Sequence, residues 1–522
     1  MSPIEMRIPM PTSTFRRRML SVGALAATGT LMLSGCAGGF DGDAAASGDT
    51  PTRIVAAIPT DPTSMDPIRS GALVVLSVFF HTFDQLVTIT ADGELAPKLA
   101  TEWTANDDLT QWDFTLQEGV EASNGEAITA EDVAFSYQTI LADPTGENFA
   151  YLSSVASVEA VDELTVRFTL TSPFSAFPRN TSLISIVPAD TYQEMGADAF
   201  AQDPIGSGPY VFDKIQTGVS YDLVRNDDYW GTAPAIESIS LQPVSSDESR
   251  VNGVLSGSLD VAPIGPTQVE SVEGQDAAQV FSALSNGVVF LGVNSTSGVL
   301  TDARIREAIG LAIDKEAITE GLLSGLAEPA ATTLAPAVEG YSEDVADPGY
   351  DPERAREMLA EAGYAGEPIP FDYATDGRIP LSADVAQTIQ ASLEEVGITI
   401  DLRGADQQAH TLKVRGREME GIYLNTWAPS TVDGDLPLTD LYEPAGNNNY
   451  AQDPRTAELA AEQRGVEGDS RLDVFAELLN YSNEQGYYVP LYVPMNNYAA
   501  DANLDWTPRA DGLFDFTQTS FK

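Results

Sequence analysis

The sequence predicts a globular α/β protein. Three observations carry that expectation. Residues 111–120 alternate, with Trp112, Phe114 and Leu116 on one face and Asp113, Thr115 and Gln117 on the other, the period of a half-buried strand. The turn dipeptide Asn124-Gly125 follows. Thr129 then stands as an N-cap, with Asp132 where the acid of a capping box belongs, and Val133, Ala134, Tyr137, Ile140 and Leu141 recur at helical spacing. Finally, the chain is long enough for two or three domains, each with its own core.

Residues 1–50 are read as processing and tether, not fold. Arg16, Arg17 and Arg18 make a basic n-region, and residues 19–33 form an apolar, Ala- and Gly-rich run too short to span a membrane comfortably. The run ends Leu33-Ser34-Gly35-Cys36, which resembles a bacterial lipobox. Small residues let a peptidase reach the backbone, and the Cys36 thiol takes a diacylglyceryl group. The expectation is a lipoprotein signal peptide over 1–35, a lipid on Cys36, and a flexible Gly/Ala/Ser/Asp-rich tether over 36–50. The alternative is an ordinary signal peptide with an incidental cysteine. Arg16-Arg17 suits either a twin-arginine signal or a plain positive n-region. Cys36 is the only cysteine, so the mature chain has neither a disulfide framework nor a thiol catalyst.

The body follows as alternating elements. Residues 52–58 are β-rich, with turns at Pro59-Thr60-Asp61-Pro62 and Asp66-Pro67. Residues 72–86 read as an apolar helix with Val75, Phe79 and Phe83 on the core side. Residues 155–170 read as a hairpin turning at Asp162-Glu163. In Ile205-Gly206-Ser207-Gly208-Pro209-Tyr210 the glycines suit unusual backbone angles. The segment has neither the Lys-Ser/Thr of a phosphate loop nor the first glycine of a nucleophile elbow. Ile305, Ala308, Ile309, Ala312 and Ile313 make one buried helical stripe. Asp351 caps a helix with Pro352 at its first position, closed at Gly363. A helix over 385–396, closed by Gly397, precedes a strand over 398–402.

Composition and chemistry narrow the function. Asp and Glu number 78 against 27 Lys and Arg, a formal net charge of −51. Such a body is repelled by nucleic acid and by anionic lipid. No acidic block is long enough to be a tail, so the acids spread over a solvated surface. His81 and His410 are the only histidines, and no His-Glu-x-x-His exists. His81, in an apolar helix, reads as a packed core histidine; His410, beside Gln407 and Gln408, reads as a surface or loop residue. Carboxylates abound, but no spacing singles out a pair. No catalytic residue, metal ligand or cofactor is assigned, and a secreted carboxylate-based hydrolase is the lesser alternative. No internal repeat points to a scaffold.

The motifs themselves say more. Leu99-Ala100, Trp103, Asp107-Asp108, Leu109-Thr110, Phe114, Leu116, Gly119-Val120, Gly125, Thr129-Ala130, Asp132-Val133 and Phe135-Ser136 resemble, in order and spacing, the signature region of ABC-transporter solute-binding proteins of family 5, the peptide- and nickel-binding family. Met65-Asp66-Pro67, the Gly206 to Tyr210 segment, Asn226 with Tyr229-Trp230-Gly231, Asn294, the Asp302 helix, Tyr350-Asp351-Pro352, Asn448-Asn449-Tyr450 and Val489-Pro490-Leu491-Tyr492 extend the resemblance from about residue 50 to about residue 500.

The resemblance implies an α/β, two-lobe periplasmic-binding-protein-like fold with an inserted subdomain in the first lobe, about 88–175. The first lobe is expected over 51–285, the second over 286–480, and a return to the first over 481–522. It implies an extracytoplasmic, monomeric binder without cofactor or catalysis. Such a binder captures a small solute between the lobes and passes it to an ABC permease with its ATPase subunits. A short peptide is the first expectation for the solute; an oligosaccharide, an opine or a metal chelate is the alternative. Peptide-binding members place an Asp after the Trp of this region to pair with the ligand's α-amino group. Here Ser430 stands in that place, and a hydroxyl does not offset the desolvation of an ammonium group as a carboxylate does. Asp433 stands where the second Asp would be, with Asp435 close behind. The expected ligand-binding residues are therefore Trp427, Asp433, Asp435, Asn448 and Tyr450. Trp427 or Tyr450 would add a cation–π contact, and the amides of Asn448 and Asn449 would hold a neutral solute.

Overall fold

A computed structural model describes residues 51–522. The signal peptide over 1–35, Cys36 and the tether over 36–50 lie outside the described residues.

The alternating segment forms the strand Gln111–Leu116, with Trp112, Phe114 and Leu116 buried. It pairs antiparallel with Ala100–Ala105 and Thr165–Leu170, and the latter pairs with Val155–Ala160, completing a four-stranded sheet. The capping box is formed. The Thr129 N–H donates to Asp132 Oδ2 at 2.8 Å, and the Thr129 hydroxyl accepts the Glu131 N–H at 3.3 Å. The helix Ala130–Leu141 then packs on this sheet and buries Val133, Tyr137 and Ile140. This is the inserted subdomain. Phe114 joins it to the rest of the first lobe, meeting Phe168 and Phe177 edge to face at 5.4 and 6.3 Å.

A 12-stranded sheet runs through both lobes. Its first-lobe part contains Arg53–Ile58, parallel to Ser238–Pro243, with Ser220–Arg225 and Tyr210–Gln216 beyond. Its second-lobe part contains Val288–Val293, Ile422–Trp427, Ile369–Ala374 and Ile400–Ala405. The strand Tyr488–Asp501 serves both. Its residues 488–492 pair with Val288–Val293, and its residues 495–501 pair with Ala278–Leu284. The chain therefore crosses between lobes twice, between Leu284 and Val288 and near Pro494. Separate cores fill the lobes, one around Phe79, Phe83 and Phe114, another around Leu291, Ile309 and Ile389.

Three expectations need correction. The apolar helix ends at Thr82, not near 86. Beyond it Phe83 is extended, and the carbonyls of Gln85 and Leu86 accept the N–H groups of Leu99 and Ala100, so residues 85–86 are taken by a strand-like pairing. Gly206 and Gly208 do not have positive φ. What they supply is space: a Cβ would come within 2.2 Å of the Thr82 carbonyl oxygen at Gly206 and 2.5 Å of the Thr82 carbonyl carbon at Gly208. His410 is not a surface residue. It is buried on the helix Gln407–Arg415, whose exposed apolar residue is Leu412, 62% accessible. His81 lies in the core as expected. Its Nδ1 donates to the Ser77 carbonyl at 2.6 Å and its Nε2 accepts the Phe516 N–H at 3.0 Å, which fixes the tautomer.

Candidate functional site

The seam between the lobes is where residues from distant parts of the chain converge on Trp427. The indole ends the strand Ile422–Trp427, opposite Val288 at the first crossing. Asn286, within that crossing, donates its amide to the Pro429 carbonyl at 2.8 Å, and its N–H goes to the Ala510 carbonyl at 3.0 Å. One side chain thus touches the loop after Trp427 while its backbone holds the C-terminal segment of the first lobe. Trp427 is half-buried and Ala428 beside it is exposed.

Behind the indole, Asp440 organises a polar support. Its Oδ2 accepts Trp427 Nε1–H at 2.8 Å and the amide of Asn448, and its Oδ1 accepts the Asn447 N–H at 2.9 Å. Asn425 donates to Asn448 Oδ1 at 2.8 Å. The Asn448 carbonyl takes the hydroxyls of Tyr488 and Tyr423 at 2.8 and 3.2 Å. The Asn449 amide donates to the carbonyls of Tyr442 and Glu443, each at 2.8 Å. Tyr450 is buried against Tyr423, ring centroids 5.2 Å apart, and its hydroxyl donates to the Val414 carbonyl at 3.1 Å. Burial pushes its phenol up to about 12. Asn448, Asn449 and Tyr450 therefore hold the Trp427 strand from within the second lobe. This corrects the expectation that their amides and ring face a ligand: the amides are already bonded to the protein. Asp440 was missed by sequence reasoning. An acid in the helix Asp435–Tyr442, eight residues before Asn448, carries no signal until the fold brings it under the indole.

The two expected carboxylate anchors are also engaged. Asp433 is 1% exposed and takes a bidentate fork from Arg471, at 2.7 and 2.8 Å. Burial alone would raise its carboxyl, but the Arg471 guanidinium, with Arg179 behind it, outweighs that and holds it below the usual carboxylate range. Asp435 takes Arg464 Nε at 2.5 Å and the Gln463 amide at 2.5 Å. Neither stands as an unpaired anchor for an ammonium group, because each already faces a guanidinium. Between Pro429 and Asp433 the chain is strained. Val432 has φ 51°, a left-handed conformation that a β-branched residue adopts only at a cost of about 1–3 kcal/mol. The strain is held by its carbonyl, which accepts the Glu339 N–H at 3.1 Å and Arg179 Nη1 at 3.3 Å.

A half-buried indole and polar backbone at a two-strand crossing suit non-covalent capture of a small molecule. Among the described residues, no group of three or more His, Cys, Asp or Glu is arranged to hold a metal ion, and no helix is long and apolar enough to cross a membrane. A separate open cavity of about 330 Å³ lies where the inserted subdomain meets the first lobe, lined by Ser123, Asn124, Asp203, Ile205 and Phe212.

Known proteins share this plan. Residues 94–449 match the family model described as bacterial extracellular solute-binding proteins, family 5 middle. The nickel-binding periplasmic protein of Escherichia coli K12 is 25% identical over 471 residues, covering 83% of this chain and 88% of that one. The glutathione-binding protein GsiB of the same strain is 26% identical over 407 residues, covering 74% and 77%. Among solved structures, HbpA2 from Haemophilus parasuis superposes with a TM-score of 0.82 at 22% identity, over 90% of this chain and 100% of that one. The oligopeptide-binding protein AppA of Bacillus subtilis, in complex with a nonapeptide, superposes with a TM-score of 0.72 at 20% identity, over 91% and 99%. At these identities the solved structures speak to the fold.

Proposed function

The chain belongs to the bacterial extracellular solute-binding proteins of family 5, and on that premise we propose that it captures a small solute at the Trp427 seam for delivery to an ABC permease. The observation that supports the seam as the site is the double crossing, between Leu284 and Val288 and near Pro494. Two crossing segments allow hinge closure around a ligand, and the half-buried Trp427 ends its strand beside the first crossing. Chemistry resides in the partner ATPase; this chain contributes binding and release.

A short peptide is the first reading of the solute, in keeping with the dipeptide- and glutathione-binding relatives. A second reading is a solute that brings no ammonium anchor, such as an oligosaccharide, an opine or a metal chelate. The arginine partners of Asp433 and Asp435 favour it. Trp427 then supplies stacking. Native mass spectrometry of the mature protein, released from its co-purified solute, decides between them. A mass that fragments as a peptide removes the second reading. Anchoring through Cys36 completes the proposal: two acyl chains hold stably where one does not. Cys36→Ser should release protein or leave the precursor uncleaved, and normal processing with full membrane retention would remove the anchor from the proposal.

A further inference from the structure

Arg179 belongs to the first lobe, on the short helix Phe177–Asn180 whose Phe177 is in the first core. Its guanidinium nevertheless sits against the second lobe, with the residue only 8% exposed. Nη1 donates to the Val432 carbonyl at 3.3 Å as well as to Gly93 of its own lobe at 2.9 Å. Nη2 reaches Glu339 Oε2 at 3.2 Å, and Nε lies 3.7 Å from Asp433 Oδ2. The contact is reinforced on both sides. The Ser175 N–H donates to the Arg464 carbonyl at 2.9 Å, and Arg464 lies over the Phe174 ring at 5.5 Å. At Gly93 an added Cβ would come within 2.5 Å of the Ala337 carbonyl, so the backbones of the two lobes touch. Within the second lobe Arg464 pairs with Asp435 and Glu443, and Arg471 with Asp433; Glu339 takes its cation, Arg179, from across the seam.

We propose that Arg179 is a specificity-determining latch: it occupies Asp433 and Glu339 from the opposite lobe, draws the lobes together without a solute, and keeps a solute's ammonium group off those carboxylates. The second half rests on the reading of the seam as the solute site; the first does not. A solute of this protein is then held without a carboxylate–ammonium pair at Asp433, and opening requires the guanidinium to leave a buried position, which is costly unless another cation replaces it.

The test uses the mature protein stripped of solute, as parent, Arg179→Gln and Glu339→Gln. Glu339 is 43% exposed at its side chain, so its variant is expected to fold even where Arg179→Gln does not. Small-angle scattering should give a larger radius of gyration for both variants than for the parent. An unchanged radius in both overturns the latch. Trialanine and N-acetyl-trialanine are then titrated by calorimetry. The preference for the free amino form should rise by about tenfold or more from parent to Arg179→Gln, and by less than about threefold in Glu339→Gln, where Arg179 still faces Asp433. A parent that already prefers the free amino form by that factor overturns the specificity role. Binding of neither peptide to any of the three removes the short-peptide reading, and the latch then stands or falls on the scattering alone.

Discussion

Two of the carboxylates that the described residues bury beside cations, Asp84 and Asp433, serve different ends. In the first lobe, Asp84 is fully buried. It takes Lys98 at 3.2 Å, Tyr229 at 3.3 Å, and Ser207 and Trp230 each at 2.9 Å. Burial pulls the Lys98 ammonium down, but Asp84 and Tyr229 more than restore it, and its titration moves up. Every partner belongs to the same lobe. The Asp433 centre is buried as deeply, yet one of its cations, Arg179, comes from across the seam. A buried ion pair says little about net stability, because desolvation cancels much of its attraction. What it fixes is which groups must stay together. The Asp84 centre ties Ser207 and Trp230 to the end of the first helix, and the Asp433 centre ties one lobe to the other.

Breaking the first centre should be the costliest change. Asp84→Ala leaves Lys98 without its carboxylate and removes the acceptor of Ser207, Tyr229 and Trp230, a loss of about 3–5 kcal/mol. Urea unfolding of the stripped protein should show it, and a loss below about 1 kcal/mol would mean that Lys98 finds water instead. Arg471→Met should cost somewhat less, about 3 kcal/mol, at the low end of that range. Arg179 remains near Asp433 and can close on it. If Arg471→Met costs more than Asp84→Ala, the seam is a stability centre before it is a hinge, and the contrast drawn above fails.

Much of this was legible in the sequence, for identifiable reasons. The strand at Trp112, the capping box at Thr129 and Asp132, the Asp351 cap and the buried stripe from Ile305 to Ile313 follow from local periodicity and local hydrogen bonds. So does the core place of His81. What failed depended on contacts between distant residues. Asp433 stands in the pattern as a free carboxylate until Arg471, 38 residues on, is seen to fork it. Asp440 under Trp427, and Arg179 across the seam, have no local signature at all. At Gly206 and Gly208 the cost of a β-carbon was legible but the unusual backbone angles were not found, since the approach of the Thr82 carbonyl belongs to tertiary packing.

Acid should separate the two kinds of buried group. Burial lowers His81 and His410 in the fold below the ordinary histidine value of 6.5, so the unfolded chain binds more protons as pH falls below it. Stability is therefore present above about pH 6.5 and falls as pH drops toward the folded values. Asp515 and Lys98 face His81, and Asp372 and Lys413 face His410, with the carboxylates limiting each drop and the ammonium groups deepening it. Asp433 acts in another window. Its folded carboxyl lies below 3.8, so its contribution holds above that pH and is lost as pH falls through the folded value. Thermal melts against pH should show a first decline beginning near the ordinary histidine range, reduced in His410→Gln. The seam should loosen only in the later, carboxylate stage. Seam opening by scattering in the first stage would place a titrating histidine in the closure.

The smallest expected effect on stability is at Glu339, and it discriminates most sharply between tying a lobe and tying two. Its side chain is 43% exposed, while its partner Arg179 is 10% exposed and keeps the Gly93 and Val432 carbonyls when the carboxylate is removed. A pair with one solvated member is worth about 0–1 kcal/mol, and salt screens it further. Glu339→Gln should therefore leave urea unfolding within about 1 kcal/mol of the parent. Its amide retains the shape and can still accept from the guanidinium, but it offers no charge. The two measurements should then part company: little change in unfolding, a measurable change in the separation of the lobes. The parent should approach the variant's separation as salt is raised, because the same attraction is screened. If unfolding and separation move together, Glu339 contributes to the second lobe's own stability, in the way Asp84 contributes to the first.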